Sequence, residues 1–99
     1  MMTIRINRRK SANADVETIW TWIATKNIKA AEELLDRFET ILEMLVRNPH
    51  AGRPRPDLGH NLRSFAVESY IIFYISHSGG IDVVRVMHGR QDISPADLT

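Results

Sequence analysis

Residues 62–75 read LRSFAVESYIIFYI, and residues 81–88 read IDVVRVMH. These two stretches decide the fold. Each apolar run has the length and the β-branched or aromatic content of a strand, and turn residues separate them. Glu68-Ser69 divides a strand over 62–67 from one over 70–76, and Ser78-Gly79-Gly80 divides the latter from a strand over 81–88. Three strands joined by tight turns form an antiparallel meander. In the middle strand Ile71, Phe73 and Ile75 alternate with Tyr70, Ile72 and Tyr74. Both of its faces are therefore apolar, which predicts a central strand covered on both sides. In the last strand the same alternation sets Val84 and Val86 toward the helices and Arg85 and Met87 on the other face, with Arg85 facing outward.

Upstream, the period changes from two to 3.6. Val16, Ile19, Trp20 and Ile23 fall at i, i+3, i+4 and i+7, the stripe of an amphipathic helix from about residue 14, with Ser11 or Asn13 as its cap. Trp22 lies off that stripe and covers a second surface. A second helix over 28–47 follows, capped by Asn27, with Ala31, Leu34, Leu35, Phe38, Ile41, Leu42 and Leu45 on its apolar face. Its other face carries Glu32, Glu33, Asp36, Glu39 and Glu43. Asn48-Pro49 ends it, because proline disfavours helical geometry in the residue before it. A short connection between two such helices predicts an antiparallel hairpin. Residues 3–7, TIRIN, read as a strand joining an edge of the sheet. The stretch 49–60 is a proline-stiffened loop, and 89–99 is a polar tail with a loose end. The expected fold is α+β, in the order β-α-α-β-β-β, with the helical hairpin packed on a small antiparallel sheet in one domain over 1–99.

Composition narrows the function classes. The chain has 99 residues, no cysteine and a formal charge of +1. A disulfide framework and a thiolate zinc site are excluded. His50, His60 and His77 have no ligand spacing, so neither metal nor cofactor is expected. No apolar run is long enough to span a bilayer and no secretory leader is legible, which points to the cytoplasm. Only three of the thirteen Lys and Arg residues are lysines. The positive charge is thus mostly guanidinium, which docks carboxylate and phosphate in bidentate geometry. Arg53, Arg55, Arg63, Arg85 and Arg90 stand at or near the ends of the apolar runs, and the fold is expected to gather them on one surface facing an anionic target. Three of them also have a structural reading, Arg53 and Arg55 paired with Asp57 and Arg63 bonded to loop carbonyls, and His88 reads as a hydrogen-bonded cap at the strand end.

The β-α-α-β-β-β order, the loop NPHAGRPRPDL at 48–58, LRSFAVESYIIFYI and IDVVRVMHGRQD at 81–92 together resemble the ParE/RelE superfamily of toxins from type II toxin–antitoxin modules. The wording is closest to the ParE branch, and the resemblance runs from the first strand to Asp92. It implies a toxin neutralised by a cognate antitoxin, often a ribbon-helix-helix DNA-binding protein, so that this chain itself does not read DNA sequence. The ParE branch is associated with poisoning DNA gyrase. The RelE branch cleaves messenger RNA in the ribosomal A site, which would require Arg55, Arg63 and Arg90 for charge stabilisation and His88 for proton transfer. Arginine is a poor general base, and no tyrosine follows Tyr74. The expectation is therefore an inhibitor that binds a target protein, presumed to be gyrase, rather than an enzyme, with the RelE-like endonuclease as the alternative. The off-stripe Trp22, and Arg85 and Met87 on the outer sheet face, are the expected antitoxin contacts.

Overall fold

The structure is a computed structural model that describes residues 5–98, so Thr3 and Ile4 of the expected first strand lie outside the described residues. Its elements are β1 (Arg5–Arg8), α1 (Lys10–Ala24), α2 (Ile28–Arg47), β2 (Arg53–Pro54), β3 (Leu62–Val67), β4 (Tyr70–His77), β5 (Gly80–His88) and a 3-10 turn, Pro95–Leu98. The strands form one sheet in the order β1-β5-β4-β3-β2. The meander β3-β4-β5 is antiparallel, as its turns require. The sheet as a whole is mixed, because β1 runs parallel to β5. A parallel neighbour needs a long crossover, and the helical hairpin is part of it. The second departure is β2, a two-residue strand inside the proline-rich loop that pairs with Arg63 and Ser64.

Helix α2 buries Ala31, Leu34, Phe38, Leu42 and Leu45, the stripe its periodicity predicts. Each fully buried leucine or phenylalanine contributes roughly 1.5–3 kcal/mol. The Asn27 side chain accepts from the Ala30 N–H at 3.1 Å, as a helix cap should. Helix α1 starts four residues earlier than expected, and neither Ser11 nor Asn13 caps it. Ser11 instead donates its hydroxyl to the Val84 carbonyl at 2.9 Å. An Arg8–Glu39 ion pair joins β1 to α2.

The expected phase of the last strand is corrected by a β-bulge. Phe73 faces Arg85 while Tyr74 faces Val83, so Val84 is an extra residue. One inserted residue reverses the side-chain alternation. Val83 and Val86 therefore join Ile72, Tyr74 and the helices in one core. Val84 moves to the second face, where it packs with Leu58, Leu62, Phe73, Met87 and Leu98. Met87 lies on that face as expected, but it is buried there and so is not exposed for the expected antitoxin contact.

Both faces of β4 are covered, as its composition predicts. The second cover comes partly from the tail, whose Leu98 is only 7% exposed. Ser94 and Asp97 close its turn by side-chain hydrogen bonds, and Arg85 donates to the Asp97 carbonyl at 2.9 Å. The tail is thus packed through Leu98 rather than loose. Truncating Leu98 to alanine is expected to cost about 2–3 kcal/mol through lost burial and a residual cavity. Urea unfolding measures this, and an unchanged midpoint would show that the tail does not cover the sheet.

Candidate functional site

The arginine-rich loop between α2 and β3 is built on one tyrosine. Tyr74 is buried in β4 and directly opposite Arg63 of β3. A buried phenol must satisfy its hydroxyl. Here the hydroxyl donates to the Pro49 carbonyl at 2.8 Å and accepts from the Gly52 N–H at 2.9 Å. The contact admits only glycine at 52, since a Cβ there would lie 2.4 Å from the Tyr74 hydroxyl oxygen. Arg63 closes the other side. Its guanidinium donates to the Gly52 carbonyl at 2.8 Å and to His50 Nδ1 at 2.9 Å. Guanidinium nitrogens only donate, so His50 Nδ1 is the acceptor and its proton sits on Nε2.

Beyond this clamp the chain presents Arg53 and Arg55. Arg55 forms a two-point pair with Asp57, at 3.2 and 3.1 Å, and its guanidinium lies 5.9 Å from the Phe73 ring centroid. The Arg55 hydrogen bond, chiefly, holds the Asp57 carboxyl below its usual range. Arg53 is exposed and makes no ion pair with a described residue. A cleft of about 630 Å³ opens beside the loop, lined by His50, Arg55, His60, Asn61, Arg63 and Ser76 among others.

The five arginines do not share one surface. Arg53, Arg55 and Arg63 cluster at the β2–β3 end. Arg90 follows β5 at the opposite end, where His88 pairs with Tyr70 and Tyr70 with Val67. Four residues of strand, about 13 Å, separate that end from Arg63. His88 is a cap there: its Nδ1 accepts from the Arg90 N–H at 3.1 Å, its ring meets Tyr70 edge-on, and its own N–H donates to the Gln91 side chain. Arg85 does not face outward. It donates through two nitrogens to the Asp15 carboxylate of α1, at 2.7 and 2.8 Å, and this pairing raises its pKa further.

The Arg55–Asp57 pair and the carbonyl contacts of Arg63 are as the sequence led one to expect. The roles of Tyr74, Gly52 and Asp15 are not legible in it. A tyrosine phased with core residues is itself a signal that some backbone must come to meet it, but the sequence does not say which. Trp22 is 60% exposed, beneath Lys26 at 4.2 Å, and Ile28 is 60% exposed close by in sequence.

Substituting Tyr74 by phenylalanine leaves the Pro49 carbonyl and Gly52 N–H without their partner, so a loss of about 1–3 kcal/mol is expected. Burial, chiefly, raises the Tyr74 pKa above its ordinary value of 10.0. The neutral form is therefore favoured by folding. Its contribution is complete below the unfolded value and declines as pH rises through the folded one. The wild type should lose stability above about pH 10 more steeply than Tyr74→Phe. Parallel alkaline limbs in urea titrations would contradict the assignment.

Comparison with known proteins agrees with this architecture. Residues 6–93 match the family model described as the ParE toxin of the type II toxin–antitoxin system parDE. The chain is 30% identical over 94 residues to Toxin ParE1 of Mycobacterium tuberculosis, covering 93% of this chain and 96% of that one. It is 26% identical over 91 residues to Toxin ParE3 of Caulobacter vibrioides, with 91% of each covered. Among solved structures, a chain of the chromosomal ParDE toxin–antitoxin system from P. aeruginosa superposes with a TM-score of 0.69 at 18% identity, over 86% of this chain and 95% of that one. That likeness concerns the fold. The family match over nearly the whole length concerns identity, and this chain belongs to the ParE toxin family of type II toxin–antitoxin systems.

Proposed function

We propose that this ParE-family toxin stops growth by binding DNA gyrase in the cytoplasm and is neutralised by a cognate antitoxin of the ribbon-helix-helix type. The observation that carries the binding reading is the commitment of the guanidinium groups to the fold. Arg63 is spent on the loop, Arg85 on Asp15, and Arg55 on Asp57. A ribonuclease would need Arg55, Arg63, Arg90 and His88 around one phosphate, yet they stand at two ends of the sheet. His88 also has its Nδ1 engaged by the backbone. In this reading Arg53, with Arg55 behind it, forms one target contact and Arg90 a separate one. Arg63 shapes the loop, and Arg85 holds the β5 edge. Trp22 carries the antitoxin contact, because exposed tryptophans are common anchors at interfaces. Arg85 is held by Asp15 and Met87 is buried on the second sheet face, so in this reading neither makes the antitoxin contact.

Pulse labelling after induction from a tight promoter tests the proposal. DNA synthesis should fall first while translation continues. Arg53→Glu with Arg55→Glu should abolish the fall while the protein remains folded by circular dichroism. An early halt in translation with DNA synthesis intact would overturn the gyrase reading and favour the endonuclease.

A further inference from the structure

A cavity of about 310 Å³ lies between α1 and α2, above the sheet. It is separate from the arginine loop, and nothing in the toxin reading uses it. Its wall is apolar: Ala12 and Val16 from α1, Leu35, Phe38 and Leu42 from α2, and Val86 from β5. Ala12, Phe38 and Leu42 are at most 5% exposed, so the floor lies within the core. An apolar wall of this kind suits an aromatic ring. The volume falls at the lower end of the roughly 300–1,000 Å³ typical of small-molecule sites, which suits one or two rings.

The mouth is polar and asymmetric. Arg8 and Glu39 line it and neutralise each other in an ion pair. Asn13 from α1 and Asp36 from α2 line it too, and neither side chain is hydrogen-bonded to a described residue. An uncommitted carboxylate and an uncommitted carboxamide thus stand on opposite helices at the entrance to an apolar chamber. The local charge is negative once Arg8 and Glu39 are paired.

We propose that this cavity binds a small aromatic primary amine, with the ring between the helices and the ammonium group at the mouth. An ammonium has three donors and no acceptor, so it matches the Asp36 carboxylate and the Asn13 carbonyl oxygen. A neutral ring of the same size would fill the chamber and leave Asp36 unused. A ring bearing a carboxylate would meet like charge at Asp36. The class is therefore set by an apolar body with one cationic end, and the inference stands independently of the gyrase reading.

Titration of the full chain with tryptamine, indole and indole-3-acetate, followed by two-dimensional NMR, tests it. Tryptamine should saturate, with shifts centred on Ala12, Phe38 and Leu42. Indole should bind about tenfold more weakly, the worth of one charge-assisted hydrogen bond, and indole-3-acetate more weakly still. Asp36→Asn, an exposed change that leaves the core intact, should bring tryptamine down to the level of indole. Ala12→Leu should fill the chamber and remove binding of both, with its own spectrum reporting whether the fold is kept. The proposal is overturned if tryptamine does not saturate, if the three ligands bind alike, or if Asp36→Asn leaves tryptamine affinity unchanged.

Discussion

The carboxylate of Asp15 is the constraint on which this architecture depends. Strand β1 is short and pairs with β5 only as far as Val83. From Val84 onward the outer edge of β5 would present bare backbone groups, which are costly when buried and invite unwanted pairing when exposed. Helix α1 closes that edge without a strand. The Arg9 N–H donates to the Val83 carbonyl, the Ser11 hydroxyl to the Val84 carbonyl, and the Val86 N–H to Asp15 at 2.9 Å. The same carboxylate holds Arg85, whose remaining nitrogen reaches the tail at Asp97. One side chain therefore joins α1, the β5 edge and, through Arg85, the tail that covers the second face. The pair is largely shielded, with side-chain exposures of 24% and 15%, so removing one partner would strand the other.

The bulge at Val84 belongs to the same arrangement. It lets β5 send Val83 and Val86 to the helical side while Val84 and Met87 serve the second face. Gly80 performs a comparable service at the start of β5. Its φ of 144° and its closeness to Arg5 leave no room for a Cβ, which would fall 1.8 Å from the Arg5 carbonyl oxygen. The parallel pairing of β1 rests on that glycine.

Much of this was legible in the sequence because it is periodic. The 3.6-residue stripe of α2, the alternation of β4 and the turn at 78–80 each give local signals that tertiary contacts reinforce. What was not legible is what depends on contacts across the chain. Nothing around Val84 announces an inserted residue, since valine suits either face. Asp15 reads as a solvent residue of an amphipathic helix until Arg85, seventy residues away, is placed beside it. The polar tail hides a single leucine that packs. The arginines mislead for the same reason: guanidinium serves a fold or a ligand equally well, and only geometry distinguishes a clamp such as Arg63 from an exposed group such as Arg53. Family membership was carried by the ordered set of stretches rather than by any one residue, and the whole-length match agrees with that.

If Asp15 stands in for the missing edge strand, its loss should be felt first at the bond it makes to β5. Native-state hydrogen exchange of the Val86 amide, compared between the wild type and Asp15→Asn, tests this most directly. Val86 should lose protection well beyond any global loss of stability, while amides in the β3–β4 ladder keep theirs relative to the new baseline. Protection at Val86 that changes only in step with global unfolding would contradict the claim that Asp15 closes this edge.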